Sequence, residues 1–378
     1  MKKPLKNVIF LSIPICLACY AIASANKNTN SNLYPASYTH FVSPALANGP
    51  LKDAASFPIG VGFGTRQLAD PNLTQIITRE FNSMTTGNSI DWAQISPSPN
   101  VFLFDPADKL VNFGLNNGFK VIGHCLVWFK ADPAWVQDFQ GDADAWDNLM
   151  KTHIQTIVSH FKGKVSAWDV VNEGYDENGQ HFTDLYYPNL NKHVENVWRV
   201  HLGEDYMAKA FTYAHEADPN AVLFYNDYGH ERMPKRLQAI VDMANDFKSR
   251  NIPIGGIGLQ MHLNINVSED GIKNAFIQLA KTGLQIRISE LDIRLNPSGK
   301  DDDALTRNAK RQADLYYYVA HAYKTLIPKD QQYGITFWGV SDKDSYVNNP
   351  QKVDAPLLFD ENYNSKACYD AFISGLQK

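Results

Sequence analysis

Short apolar runs of strand length recur along the chain and alternate with segments that have helical spacing. One such segment, residues 144–161, places apolar side chains at i, i+3, i+4 and i+7. Strands that are apolar on both faces, alternating with amphipathic helices, are typical of a parallel sheet covered by helices. The predicted strands are residues 57–64, 81–85, 120–126, 165–171, 222–226, 256–261, 285–290 and 334–338. Eight units of this kind predict an α/β fold, a closed (β/α)8 TIM barrel.

An open, doubly wound sheet is the structural alternative, and it usually carries a glycine-rich turn after its first strand. Residues 60–64 read G-V-G-F-G, which lacks the G-x-G-x-x-G spacing and the acidic residue that should follow. We interpret these glycines as backbone packing inside the barrel. The sequence shows no internal repeat, so we predict a single catalytic domain over residues 51–378.

The N-terminus has the composition of a signal peptide. Three lysines precede an apolar stretch at residues 8–23, and small residues that suit signal peptidase follow it. The apolar stretch is shorter than the roughly 20 residues that a membrane span needs, so a membrane anchor is the less favoured interpretation. We therefore predict that residues 1–25 are a signal peptide and that the protein is exported.

The segment after the leader predicts a flexible tether over residues 26–50, because it is rich in Asn, Ser, Thr and Pro. Cys19 offers an alternative processing route, a lipid anchor, although Cys16 stands where a lipobox usually has an aliphatic residue. The expected location is therefore secreted, periplasmic or at the cell surface as a lipoprotein.

Cysteine content and charge narrow the class of partner. Cys125 and Cys368 remain after the leader, and a barrel of this size folds without disulfides, so two buried, unpaired thiols are expected. The net charge of −5 comes with no concentrated basic patch, which argues against nucleic acid or an anionic membrane as a partner. A neutral polymer is compatible with this surface, and we expect a monomer.

Barrel enzymes carry their chemistry at the C-terminal ends of the strands, so polar residues at those positions are the candidates. Residues 180–200 follow one such strand end and are predicted to be a loop insertion, where barrels often carry function. The polar and aromatic residues at or near the predicted strand ends are His124, Asn172, Glu173, Gln260, His262, Glu290 and Trp338.

Glu173 and Glu290 can face each other across the barrel mouth, as acid/base cleavage of a glycosidic bond requires. We expect His262 and Gln260 to hydrogen-bond Glu290 and stabilise its charge, which favours the nucleophile role. Burial and the neighbouring carboxylate are expected to raise the pKa of Glu173, which favours the acid/base role. Asn172 is placed to bond a sugar 2-hydroxyl.

These residues lie in motifs that resemble glycoside hydrolase family 10, the endo-β-1,4-xylanase family. The matches run in order along nearly all of the predicted domain, which makes the resemblance specific. The motifs are G-H-C-L-V-W (123–128), W-D-V-V-N-E (168–173), N-D-Y (226–228), G-I-G-L-Q-M-H-L (256–263), S-E-L-D-I (289–293) and T-F-W-G-V-S-D-K-D-S-Y (336–346).

The resemblance implies cleavage of β-1,4-xylosidic bonds in xylan with retention of configuration, by Glu173 as acid/base and Glu290 as nucleophile. It implies a polysaccharide or xylo-oligosaccharide substrate and no cofactor or metal. The residues that the resemblance implies for substrate binding are Asn88, His124, Trp128, Asn172, Tyr228, Gln260, His262, Trp338 and Tyr346.

The chain departs from the family pattern one sugar away from the cleavage point. Gly87 and Asp91 replace a glutamate and a lysine that normally hold the sugar at the −2 subsite. Phe129 and Tyr346 stand where the family often has His and Trp. Loss of the donors predicts weaker binding of plain xylose at −2 or acceptance of a decorated sugar. Exchanging both positions, Gly87→Glu with Asp91→Lys, is the direct test.

Three other functions stay open on the sequence alone. A metal-dependent barrel hydrolase could use His124, His262 and Asp292, but it would ordinarily need paired histidines on the first strand. A polysaccharide-binding protein on a catalytically dead barrel is the non-enzymatic alternative. A related β-glycosidase that acts on a decorated xylan, a β-glucan or a plant β-glycoside is the alternative within the glycosidases.

Overall fold

A computed structural model describes residues 49–188, 191–301, 303–348 and 353–377, and a closed parallel barrel is at its centre. The strands are β1 (Ile59–Gly62), β2 (Ser83–Thr85), β3 (Lys120–Val127), β4 (Ala167–Asn172), β5 (Asp184–Tyr187), β6 (Lys192–Glu195), β7 (Val222–Asp227), β8 (Gly256–Leu259), β9 (His262–Asn264), β10 (Gln285–Arg294) and β11 (Gln332–Phe337).

The barrel closes because its last strand pairs with both of its neighbours. The order is β1-β2-β3-β4-β7-β8-β10-β11, and β11 returns to β1 with Ile335 opposite Ile59. Ile335 also lies opposite Ile288 of β10. The predicted TIM barrel is therefore confirmed, and the open-sheet alternative is wrong.

Helices between the strands cover the outside of the barrel. Their bounds are α1 (Pro71–Glu80), α2 (Trp92–Ile95), α3 (Asp105–Asn116), α4 (Ala134–Gln137), α5 (Ala143–His160), α6 (Val197–Leu202), α7 (Tyr206–Ala217), α8 (Pro234–Ser249), α9 (Glu269–Ala280), α10 (Ala304–Arg307), α11 (Ala309–Leu326) and α12 (Ala367–Gln377). The predicted helix at residues 144–161 is α5. It begins where the Asp142 side chain accepts a hydrogen bond from the backbone N–H of Ala145 at 2.9 Å, an N-cap.

The eight predicted strands are all present, but several of their ends differ. The predicted strand at residues 256–261 stops at Leu259, because Met261 has a positive φ of 56° that interrupts the extended backbone. The chain then re-enters the sheet as β9. The predicted strand at 285–290 continues to Arg294, because β9 gives it a further parallel partner. Glu290 thus lies inside a ten-residue strand.

One of the β1 glycines is required by a large aromatic side chain at the barrel mouth. A Cβ atom at Gly62 would lie 2.6 Å from the ring of Trp338. Only glycine lets that indole pack directly against the strand. The interpretation of the β1 glycines as backbone packing is confirmed at this position.

The predicted insertion at residues 180–200 contains a two-stranded antiparallel hairpin. Strands β5 and β6 pair with Asp184 opposite Glu195 and Tyr187 opposite Lys192. Val194 is buried, and the Gln137 amide donates to the backbone carbonyl of Glu195 at 3.1 Å. The hairpin is therefore anchored to α4, the short helix that follows β3.

Cys125 and Cys368 are both buried and free, as predicted. The predicted signal peptide, almost all of the predicted tether and the possible lipid anchor at Cys19 lie outside the described residues. Among the helices that the structure does describe, none combines the length and the apolar character that a membrane crossing requires.

Candidate active site

The two glutamates lie at the same end of the barrel and are almost completely buried. Glu173 directly follows β4 and is 8% exposed, and Glu290 lies within β10 and is 5% exposed. Glu173 has a positive φ of 56°, so the chain turns sharply where this side chain leaves the strand. Its backbone N–H donates to the carbonyl of Asn226 at 2.9 Å, which fixes the turn to the next barrel strand.

Both carboxylate oxygens of Glu290 are hydrogen-bonded. Asn226 Nδ2 donates to Oε1 at 2.8 Å, and His262 Nε2 lies 3.1 Å from Oε2. The other ring nitrogen of His262 is 2.7 Å from Asp292 Oδ2. Burial alone would lower the pKa of His262, but the carboxylates of Asp292 and Glu290 outweigh it and raise that pKa to about 10. A protonated imidazole is a donor suited to a carboxylate, and the predicted hydrogen bond between His262 and Glu290 is confirmed.

Gln260 does not bond the side chain of Glu290, so that prediction is wrong. Its Nε2 donates instead to Glu173 Oε1 at 3.0 Å and to Asn172 Oδ1 at 3.2 Å. Asn226, which also holds Glu290, donates to the same Asn172 oxygen at 2.9 Å. Although β8 also pairs with β10, the Gln260 side chain reaches across β7 to the end of β4. The three amides thus connect the two glutamates through one hydrogen-bond network.

Glu173 has a cationic partner that the sequence did not reveal. Lys130, in the turn Phe129–Ala131 after β3, donates to Glu173 Oε2. Burial acts to raise the pKa of Glu173, but the Lys130 ammonium and the Gln260 amide outweigh burial and lower it. The prediction of a raised pKa for Glu173 is therefore wrong for this structure. No pattern marks Lys130, because it lies in a turn and outside every predicted strand end.

A second buried ion-pair network supports His124. Its Nδ1 lies 2.8 Å from Asp169 Oδ2, and Arg287 donates to the same oxygen at 2.6 Å. Burial opposes a charge on His124, but Asp169 and the more distant Glu290 outweigh it and raise the pKa of His124 to about 9. Asp169 and Arg287 were missed at the sequence level, although a charged residue inside an apolar strand is itself a signal of function.

Aromatic side chains line the mouth on the side of His124 and His262. The Trp338 ring centroid lies 5.4 Å from that of His124 and 6.5 Å from that of His262. Tyr346, which is 47% exposed, packs edge-on against His262 at 5.3 Å. The indole N–H of Trp128 is buried and has no hydrogen-bond partner among the described residues. The structure therefore brings the predicted binding residues His124, His262, Trp338 and Tyr346 together.

Tyr228 lies on the opposite side, next to cations. The guanidinium of Arg236 lies 4.1 Å from its ring centroid, and Lys130 Nζ lies 5.6 Å from it. Arg236 is held by Asp227 at 3.2 Å. Tyr228 is thus positioned on the Glu173 side of the mouth, where a leaving group would depart.

Asn88 lines a cavity of about 590 Å³ that also borders Trp338 and Tyr346. Both altered residues beside it are buried. Gly87 borders the cavity with a positive φ of 48°, whereas Asp91 is not among the residues that line it. The pKa of Asp91 is raised to about 7, chiefly by burial. Asp91 therefore acts on this part of the site from beneath the surface.

Three donors in this region are close enough to share a metal ion. One ligand atom each of Asp91, His124 and Cys125 lies within 4.8 Å of the others, and all three residues are buried. The residues considered from the sequence, His124, His262 and Asp292, are divided between two ion pairs. His124 pairs with Asp169, and His262 pairs with Asp292. These pairings fit charge stabilisation around Glu290.

Comparison with known proteins places the chain in one family. The sequence profile of Glycosyl hydrolase family 10 matches residues 51–375, and the chain belongs to that family. The sequence is 36% identical over 299 residues to endo-1,4-beta-xylanase B of Thermotoga neapolitana, covering 79% of this chain and 81% of that protein.

A second relative is much longer than this chain. Endo-1,4-beta-xylanase A of Thermoanaerobacterium saccharolyticum is 36% identical over 335 residues, which cover 84% of this chain and 27% of the relative. Among solved structures, a mutant of xylanase 10C from Cellvibrio japonicus in complex with xylopentaose superposes with a TM-score of 0.80 at 32% identity. That superposition covers 87% of this chain and 69% of the other.

Proposed function

We propose that the protein is an endo-1,4-β-xylanase that hydrolyses xylan with retention of anomeric configuration. The observation that carries this proposal is the hydrogen-bond network that joins Glu173 and Glu290 at the barrel mouth. The family membership and the xylanase relatives support xylan as the substrate class. The named complex with xylopentaose supports a cleft that takes several sugar units.

In the first step, the Glu290 carboxylate attacks the anomeric carbon and forms a glycosyl ester. The bond from that carbon to the leaving oxygen breaks, and the leaving oxygen takes a proton from Glu173. His262 and Asn226 hold the two oxygens of Glu290, so its carboxylate is oriented before the attack.

In the second step, Glu173 acts as a base. It takes a proton from a water molecule whose oxygen attacks the anomeric carbon, and the ester bond to Glu290 breaks. Two inversions at one carbon give net retention. Asn172, held by Gln260 and Asn226, is positioned to bond the 2-hydroxyl of the reacting sugar.

We also propose that the enzyme is exported, through the leader at residues 1–25 or through lipid attachment at Cys19, and acts as a monomer. The lysines and the apolar stretch of the leader support export. Determining the mature N-terminus and its mass after expression with the native leader tests it, since lipid attachment and signal peptidase cleavage give different masses.

Product analysis tests the activity. Linear xylan, decorated xylan and mixed-linkage β-glucan are incubated with the protein, and the anomer that is released first is followed by NMR. We expect β-configured xylo-oligosaccharides of several lengths from the xylans, and none from Glu290→Gln. Release of the α-anomer would contradict the mechanism, and preferential hydrolysis of the glucan would contradict the substrate class.

A further inference from the structure

Lys130 contacts Glu173 in a place where water is largely excluded. Its Nζ donates to Glu173 Oε2, and only 14% of the lysine side chain and 11% of the glutamate side chain are exposed. Charges in such surroundings interact more strongly than exposed surface pairs do. Lys130 is therefore placed to influence when Glu173 carries a proton.

The hydrogen bonds that Glu173 accepts all favour its ionised form. Gln260 Nε2 donates to Oε1, and Lys130 donates to Oε2. An ammonium group and an amide NH₂ group can only donate, so neither can accept a bond from a protonated carboxyl oxygen. With Oε1 held by Gln260, a proton on Oε2 leaves the Lys130 ammonium facing a hydroxyl oxygen, a far weaker acceptor than a carboxylate, so protonation favours departure of the ammonium from that oxygen.

Three aromatic rings lie close to the Lys130 ammonium, and their faces can attract it when it is not bonded to Glu173. Its Nζ lies 5.5 Å from the ring centroid of Phe182, 5.6 Å from that of Tyr228 and 5.7 Å from that of Phe129. A cation within about 6 Å of an aromatic face is attracted to it. The lysine can therefore move off Oε2 without losing all of its favourable contacts.

We propose that Lys130 is a positioning residue that holds Glu173 in its base form and must leave Oε2 before Glu173 can act as an acid. This inference rests on the proposed acid/base role of Glu173. The ammonium favours the carboxylate, so the acid step is confined to lower pH than it would be without Lys130. In the second step, the same contact favours the ionised base that activates water.

Other titratable groups also face Glu173, and they must be considered in any pH profile. His262 adds a second cation, while Asp227 on β7 repels the charge of Glu173. Tyr346 and Cys125 also interact with Glu173, Glu290 is joined to it through the amides, and Tyr228 and Tyr187 interact with Lys130. None of them is changed when Lys130 alone is replaced.

The experiment compares the pH dependence of kcat/KM for the full chain and for Lys130→Met, Lys130→Arg and Lys151→Met. Lys151 is the matched control, because it is a lysine 41% exposed on the surface, where it pairs with Glu216. Two substrates are used: xylohexaose, whose leaving group needs a proton, and 2,4-dinitrophenyl β-xylobioside, whose leaving group does not. Thermal melts establish that each variant is folded.

On xylohexaose, activity falls as pH rises through the pKa of Glu173, because the acid form is lost. Without the ammonium, this fall should move to higher pH by roughly one to three units in Lys130→Met. Lys130→Arg and Lys151→Met should keep the original profile. On the dinitrophenyl substrate, the pH dependence of kcat/KM on the basic side of the profile should be the same in all four proteins.

The inference would be overturned if the fall in kcat/KM on xylohexaose at high pH did not move in Lys130→Met. An equal shift of that fall with both substrates would also overturn it. If Lys130→Met does not fold, Lys130→Gln is compared with Lys130→Arg, since these two differ in charge and both can donate. Failure of the unaltered protein to hydrolyse xylohexaose at any pH would instead contradict the proposed function itself.

Discussion

The catalytic centre and the segment formed by residues 87–92 lie side by side at the barrel mouth, yet their buried acids are supported differently. Glu290 accepts a hydrogen bond from Asn226 at one carboxylate oxygen and one from the protonated His262 at the other. Asp91 is also buried, and its Oδ1 lies 3.7 Å from the Cys125 thiol, while the Asn88 side chain and the backbone N–H of Cys125 also act to lower its pKa. Its Oδ2 has no hydrogen-bond partner in the part of the chain that the structure describes.

This difference indicates which functional demands act on each region. The carboxylate proposed as the nucleophile must be ionised, and the fold supplies two donors to Glu290. In residues 87–92 burial outweighs the hydrogen bond from Asn88 and favours the neutral form of Asp91. The demands of bond cleavage are therefore met in full at the centre, while the neighbouring segment has replaced a cation by a buried acid.

Removing Asn226 should produce the largest effect, because it would make the centre resemble the poorly supported segment. Asn226→Ala deletes the 2.8 Å bond to Glu290, the bond to Asn172 and the 2.6 Å bond from Ser289. We expect kcat/KM on xylohexaose to fall by roughly 10²- to 10³-fold. The control is Asn274→Ala, on the exposed face of α9. A comparable loss of kcat/KM in that variant would mean that the loss in Asn226→Ala does not come from its bonds to the centre.

Asp91→Asn should stabilise the protein at neutral pH, because it removes the free-energy cost of a buried anion. The folded-state pKa of about 7 exceeds the ordinary value of 3.8, so the stabilising contribution of the protonated acid is lost as pH rises through about 7. The advantage of the variant in free energy of unfolding should grow by about 2 kcal/mol between pH 5 and pH 7 and then level off.

Denaturant unfolding at several pH values measures this advantage. The exposed Asp330→Asn variant serves as the comparison, since Asp330 is on the surface. A pH-independent difference between Asp91→Asn and the unaltered protein would mean that Asp91 is as well supported as Glu290.

The smallest expected effect comes from Gly87→Ala. Its φ of 48° is strained for any side chain, and a Cβ atom would lie 3.0 Å from the backbone carbonyl of Phe63. We expect the free energy of unfolding to fall by about 1 to 2 kcal/mol. Gly118→Ala separates the two causes, because Gly118 has a φ of 71° but nothing within 4 Å of its Cβ position. Equal losses in thermal melts would show that the crowding at Phe63 has no effect.

The barrel and the position of its chemistry could be predicted from the sequence because both follow from local pattern. Apolar runs define the strands, and a residue such as Glu173 or His262 that ends a run is brought to the mouth by parallel topology alone. The two catalytic candidates therefore required only the strand ends. Strand boundaries were less accurate at Met261, where a positive φ follows the early end of one predicted strand and precedes the unpredicted β9.

The partners of each side chain could not be predicted in the same way. Which glutamate receives the Gln260 amide depends on distances between neighbouring strands, and the expected choice of Glu290 was wrong. Lys130 lies in a turn whose path is set by packing of Phe129 against Phe182 at 5.5 Å. The pKa of Glu173 moves opposite to the expected direction, because Lys130, the Gln260 amide and His262 together outweigh burial.

The altered −2 residues illustrate a further limit. A sequence comparison presents Gly87 and Asp91 as two exchanged contacts with sugar, which a double substitution would restore. The structure makes Gly87→Glu strained at the backbone and places Asp91 below the surface. The weaker or altered −2 binding stays a prediction, and substitution of the half-buried Ser89 or Asn88, which line the cavity, is a gentler way to probe it.

Strand β10 carries Glu290 in its interior and pairs with β8, β9 and β11. Its backbone N–H groups are therefore tied to three neighbours instead of ending freely at the barrel rim. Local opening of a loop can disturb Glu173, which follows a strand, without moving Glu290. We therefore expect the amide hydrogens of β10 to be among the last to exchange, and Glu290 to keep its place until the whole barrel unfolds.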